Sequence, residues 1–248
     1  MKLFNYIILA LLLVIVSSCK KDEVNQPTFP QDYGEGMYII TDLGVSFYNY
    51  KSSTSQVVNQ IFNTVNNISI NNPKKIKFRG TKAYILADNY ITTANVKSFE
   101  NKGEINGFMN PVDVDFVSND RLFVVDKNDS RIKVVDLERM QIVSDIETGE
   151  ETNPAFIISN SYKSFILNSG ELSNETKDST IIVVNYRDNL VSQAILEGSL
   201  AVGDNPNSAV IGSDGKLKVL CRGIYDPTNS LNNTLSSLSN INQYNNEV

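Results

Sequence analysis

The sequence predicts an all-β fold: a β-propeller of four-stranded antiparallel blades whose ring is incomplete, with about four to five blades present. Three observations predict it. Residues 110–147 read as one complete four-stranded unit. The dipeptide Asn-Pro opens units at Asn72-Pro73, Asn110-Pro111, Asn153-Pro154 and Asn205-Pro206, with prolines 38, 43 and 52 residues apart. Those spacings fit a blade of roughly 40–50 residues. The second strands also align, as Tyr38 to Asp42, Tyr84 to Asp88, Phe123 to Asp126, Phe165 to Asn168 and Lys218 to Cys221.

The clearest unit justifies the rest. In 111–118, Val112, Val114 and Phe116 alternate with Asp113 and Asp115, as in a strand with one buried face. Asn119-Asp120 is hairpin chemistry. Residues 122–125 are continuously apolar, as in a strand covered on both faces. Residues 127–130 supply a turn, 132–137 a third strand and 141–146 a fourth. A lone meander cannot cover both its faces, so it needs copies of itself. Third strands end on an Asx residue: Asn49, Asn95, Asp136, Asn185 and Asn242. That side chain can bond the following backbone and start the next turn.

In chain order, 1–18 reads as a targeting segment. Lys2 gives a positive start, and the apolar run 6–16 is shorter than the roughly 20 residues of a membrane-spanning helix. It ends in Val16-Ser17-Ser18-Cys19, which resembles the lipobox of bacterial lipoproteins. That resemblance implies lipidation of Cys19 and membrane attachment, stable because acyl burial contributes about 0.8 kcal/mol per CH₂. Lys20-Lys21-Asp22-Glu23 resembles an export signal to the outer face of the outer membrane. Residues 19–36, with Pro27, Pro30, Gly34 and Gly36, read as a lipidated tether. With Cys19 acylated, Cys221 is the one thiol left, a small strand residue rather than half of a disulfide.

Residues 37–248 carry the blades. Blade one starts out of phase: 37–42 match a second strand, 45–49 a third and 56–62 a fourth, with no first. Blades two, three and four cover 72–105, 110–147 and 153–196. Blade five has strands expected at 207–211, 216–221 and 235–241. Its fourth strand should begin near Val248. With outer strands unpaired, the protein expressed alone is expected to be poorly soluble or partly folded.

The units 153–168 and 205–223, the second reading NPNSAVIGSDGKLKVLCRG, resemble the YVTN/YncE-type seven-bladed β-propellers, in particular their secreted and surface-lipoprotein branch. The resemblance covers residues 37–221. It implies the propeller fold and a surface lipoprotein, and some members of that branch are similar to proteins that capture corrinoids and pass them to a TonB-dependent transporter. A corrinoid-like ligand and such a transporter partner are therefore expectations from resemblance alone.

Composition narrows the chemistry. The net charge of −6 speaks against a nucleic-acid partner, which wants a basic stripe. The chain contains no His, which removes Ser-His-Asp and Cys-His catalysis and the commonest zinc ligand. Residues 126–129 lack the Gly and terminal Glu of a calcium loop, so neither metal nor cofactor is expected. Repeat insertions gather on one face. The long second-to-third-strand loops 169–178 and 223–233 mark it, and the candidate ligand-binding residues are Asp42, Asp88, Asp126, Asn168, Arg222, Tyr225 and Asp226. Two alternatives stay open: a lactonase-like propeller enzyme, and a gene fragment with no function of its own.

Overall fold

The computed structural model describes residues 32–248 except 55, 128, 149–152, 170–177 and 187–193. The expected signal segment, Cys19 and residues 19–31 of the tether lie outside the described residues.

Where the sequence repeats, the structure repeats. β3 (Lys75–Arg79), β4 (Lys82–Leu86), β5 (Tyr90–Asn95) and β6 (Asn101–Asn106) form blade two. Blade three is β7 (Pro111–Phe116), β8 (Arg121–Asp126), β9 (Arg131–Asp136) and β10 (Gln141–Glu147). Blade four is β11 (Pro154–Ser159), β12 (Lys163–Asn168), β13 (Thr180–Asn185) and β14 (Ile195–Ala201). Each is an antiparallel meander in chain order. Blade five has three strands, β15 (Pro206–Ile211), β16 (Lys216–Cys221) and β17 (Ser237–Asn242). Blade one has two, β1 (Met37–Thr41) and β2 (Gly44–Tyr48). The fold is thus an open, incomplete propeller. β1 pairs with β2 and β17 with β16, with no pairing between the first sheet and the last among the described residues.

The local devices recur with the blades. After Pro111, Pro154 and Pro206 the first strand slips register by one residue, a β-bulge at the same place in three blades. Proline cannot donate to the ladder, so it sits where pairing starts. The Asx turns form as expected. Asn95 Oδ1 accepts from the amides of Lys97 and Ser98, Asp136 Oδ1 from Glu138 and Arg139, and Asn242 Oδ1 from Tyr244. Hydrogen bonds from two backbone amides, with Arg121 and Arg139 nearby, hold the Asp136 carboxyl below its usual range against a smaller desolvation. The turn after Asn185 lies outside the described residues.

In blades two, three and four the second and third strands are buried on both faces, and their two faces join different cores. Leu122 and Val124 pack with Tyr84, Leu86 and Ile91 of blade two. Phe123 and Val125 pack with Ile157, Ile166 and Ile182 of blade four. Phe165 and Leu167 pack with Leu217, Val219 and Cys221 of blade five. The cores therefore lie between blades, and each strand supplies two of them by alternation. Cys221 is a free, buried thiol.

One element corrects the expectation. Residues 56–62 are no fourth strand: a single bridge joins Phe47 to Val58, and α1 (Ile61–Asn66) follows. Ile61, Phe62 and Val65 fall on one helical face and pack against Val45, Phe47 and blade two. Asn67 closes α1 in the left-handed conformation, φ 54°, which Asn tolerates. Tyr33, within the stretch expected as tether, is fully buried and makes edge contacts with Phe47 and Phe99. No helix among the described residues is long and apolar enough to cross a membrane.

Candidate functional site

The first strands of blades two, three and four are fastened by a ladder. Lys75 pairs with Asp113, and Lys77 Nζ lies 3.0 Å from Asp115 Oδ1. The other oxygen of each carboxylate accepts from β11: Asp113 Oδ2 from Ile157 N at 3.0 Å, and Asp115 Oδ2 from Ser159 N at 2.8 Å. Lys75 Nζ also sits 4.9 Å from the Phe156 ring centroid. Two alternating carboxylates thus clamp three blades. The signal was legible as Lys-x-Lys in β3 opposite Asp-x-Asp in β7, but the sequence reading took these only as strand alternation.

At the ends of the second strands, the expected candidates fall into two groups. Asp126 is fully buried, and its oxygens accept from Met109 N at 2.8 Å and Asn110 N at 2.7 Å. Asp88 is exposed and accepts from the Asn72 amide at 2.9 Å. Between them stands Lys74, which the sequence reading missed. Its ammonium donates to Asn110 Oδ1 and Pro111 O, both at 3.0 Å, and to Asp88 O at 3.4 Å. Burial lowers the Lys74 pKa, while the charges of Asp88 and Asp126 work against that. This mouth is filled by the protein's own cation. Asp42, on blade one, is exposed.

The second group gathers at blades four and five. The loop insertion 170–177 lies outside the described residues, but its roots do not. Asn168 is fully buried; its amide donates to Thr180 Oγ1 at 2.9 Å, and its Oδ1 has no hydrogen-bond partner among the described residues. Arg222 is exposed and donates from Nη2 to Ser169 Oγ at 3.1 Å. Among the described residues it has no carboxylate partner. Arg222 N donates to Asn205 O at 3.0 Å, and the Asn205 amide to Gly223 O at 2.9 Å.

The loop beyond is cross-bonded to itself. Gly223 has φ 78°, and a Cβ there would meet Thr234 O at 2.4 Å, so only glycine fits. Asp226 accepts from Thr228 N, Thr228 Oγ1, Asn229 N and Asn232 Nδ2 at 2.6–3.0 Å. The hydrogen bond from Thr228 and then that from Asn232 hold its carboxyl far below the usual range. Asp226 is thus a loop organiser. Tyr225 beside it is 65% exposed. The arrangement offers a guanidinium and a phenol ring to solvent on a backbone fixed by internal bonds.

Solved structures that resemble this chain are propellers or share their architecture. A quinonprotein alcohol dehydrogenase-like protein from Bacteroides thetaiotaomicron matches with a TM-score of 0.60 at 11% identity, over 87% of this chain and 51% of that one. The Pan2 WD40 domain of Neurospora crassa matches with 0.61 at 10% identity, over 87% and 61%. Hydrazine synthase from Kuenenia stuttgartiensis matches with 0.53 at 20% identity, over 68% and 45%. At these identities the likeness shows the fold alone. The chain spans about half the length of the dehydrogenase-like protein and of the synthase. No protein-family model and no curated protein matches the chain.

Proposed function

We propose that the protein is a lipid-anchored cell-surface propeller that binds a ligand or partner on the loop face of blades four and five, without catalysis. One observation carries the reading. Arg222, exposed and without a carboxylate partner among the described residues, stands on the same strand-to-loop junction as the exposed Tyr225. A guanidinium and an aromatic ring presented by one loop root, three residues apart in the chain, suit an anionic group attached to a planar body. The absence of His from the chain favours binding over hydrolysis. The surface-lipoprotein branch of the YVTN/YncE-type propellers, with its corrinoid-like ligands and hand-over to a TonB-dependent transporter at the outer membrane, is the family reading that fits best. Cys19 is the proposed anchor, and mass spectrometry of the mature N-terminus should find it acylated.

The test is calorimetric titration of the full-length protein in detergent with a corrinoid. Wild-type binding weakened at least about tenfold by Arg222→Ala, a loss on the order of one charged hydrogen bond, supports the site. Unchanged affinity in Arg222→Ala and Tyr225→Ala rules out this face.

A further inference from the structure

Blades stack through the forward side chains of their second and third strands, and register identifies those positions. In blade two they are Tyr84 opposite Thr93 and Leu86 opposite Ile91. In blade three they are Phe123 opposite Val134 and Val125 opposite Ile132. In blade four they are Phe165 opposite Val183 and Leu167 opposite Ile181. All of these are buried. In blade five the same register gives Lys218 opposite Asn240 and Leu220 opposite Leu238. The equivalence does not rest on sequence alone. In blades three, four and five the residue after the second strand, Lys127, Ser169 and Arg222, donates its amide to the Asn opening its blade, Asn110, Asn153 and Asn205; in blade two Asp88, two residues past the strand, donates to Asn71.

Blade five therefore replaces one of its two stacking pairs. An aromatic ring in three blades becomes a lysine, and its Thr or Val partner becomes an asparagine. On the first strand, Ser208 stands where blade four has Phe156, each paired with its blade's Leu220 or Leu167. The backward positions are kept: Leu217, Val219, Cys221 and Ile241 are buried against blade four. The sheet is one-sided. Lys218 Nζ lies 3.4 Å from Asp214 Oδ2, both partly exposed, and Asn240 is exposed. Leu220 and Leu238 are 48% and 59% exposed.

We propose that Lys218 and Asn240 turn the forward face of blade five to water and withhold it from stacking of the kind seen at the three junctions behind it. A blade laid on it would desolvate the Lys218 ammonium and the Asn240 amide with no apolar gain at that pair. The edge of β17 suits the same role: Ser237, Ser239 and Asn240 give it weak strand propensity for pairing with another chain.

The experiment measures access to that face in the full-length protein. Leu238→Cys should react with a maleimide within about threefold of Leu231→Cys, a position 91% exposed, while Val183→Cys stays protected at least about a hundredfold. The native Cys221 thiol, fully buried, must remain unreactive throughout and reports that blade five is folded. A thiol at 238 protected a hundredfold relative to that at 231 overturns the proposal, because something then covers the face. A second variant reads the two polar positions directly. Lys218→Phe with Asn240→Val restores the stacking pair and should raise self-association above that of the wild type in sedimentation velocity. A folded variant that associates no more than the wild type overturns the claim that these two side chains withhold stacking.

Discussion

Blades four and five share register and bulge, yet their forward faces differ. In blade four, Phe165, Leu167, Ile181 and Val183 are buried in a common core with blade five. In blade five, Lys218 and Asn240 stand at the places of Phe165 and Val183, and the two leucines are half exposed. The difference teaches that strand geometry in a repeat is set locally, while the character of a blade is set by whether both faces have a neighbour. The other end of the arc solves the same problem differently. There α1 and the rings of Tyr33, Tyr38, Phe47 and Phe99 cover the incomplete blade one. Tyr38 is buried deeply enough, with Asp32 nearby, to push its pKa up to about 12.

The largest test of this comparison removes one side chain from each blade at the matched position. Phe165→Ala, in the packed junction, should cost about 3–5 kcal/mol in urea unfolding, the range for deleting a buried ring. Lys218→Ala should stay within about 0.5 kcal/mol, as an outward-facing side chain does. Equal costs would erase the distinction between junction and cap.

A smaller effect is expected on the first strands. Asp113→Ala removes the partner of Lys75 and leaves the buried Ile157 amide without its acceptor. The expected loss is about 1–3 kcal/mol. Ser208→Ala, the matched change in blade five, should lose less than about 0.5 kcal/mol. If Asp113→Ala proves as mild, the carboxylate ladder does not fasten the blades.

The smallest effect is a pH dependence at the seam where blade five is tied back to blade four. Asn160 Nδ2 donates to Gln243 Oε1, and Lys163 Nζ reaches Asn246 Oδ1 at 3.0 Å and Glu197 Oε2 at 2.9 Å. Asn246 Nδ2 donates to Glu197 Oε2 at 2.9 Å. Partial burial alone would raise the Glu197 pKa; the bonds from Asn246, Lys163 and Asn185 outweigh it and hold the carboxyl below its ordinary range. A depressed carboxyl stabilises fully above its unfolded value and loses that contribution as pH falls through its folded value. Amide resonances of residues 242–247 should therefore shift together on acidification below about pH 4. Glu197→Gln should remove that titration. A tail indifferent to both would show that Glu197 does not hold it.

The sequence by itself determined much of this. Blade period, strand positions in blades two to five, the Asx turns and the missing strands were legible, because each is a property of a few consecutive residues. The rest needed tertiary structure. Residues 56–62 carry apolar positions that serve a strand or one helical face, and packing against Val45 and Phe47 selected the helix. Asp88 and Asp126 read as candidate ligand-binding residues, and that Lys74, just before β3, stands with them was decided by the tertiary structure. Alternation in β16 announced two faces, with Lys218 and Leu220 on one and Leu217 and Val219 on the other. Which of the two has a neighbour was decided only by stacking, since a side chain's burial belongs to the blade it meets and not to its own strand.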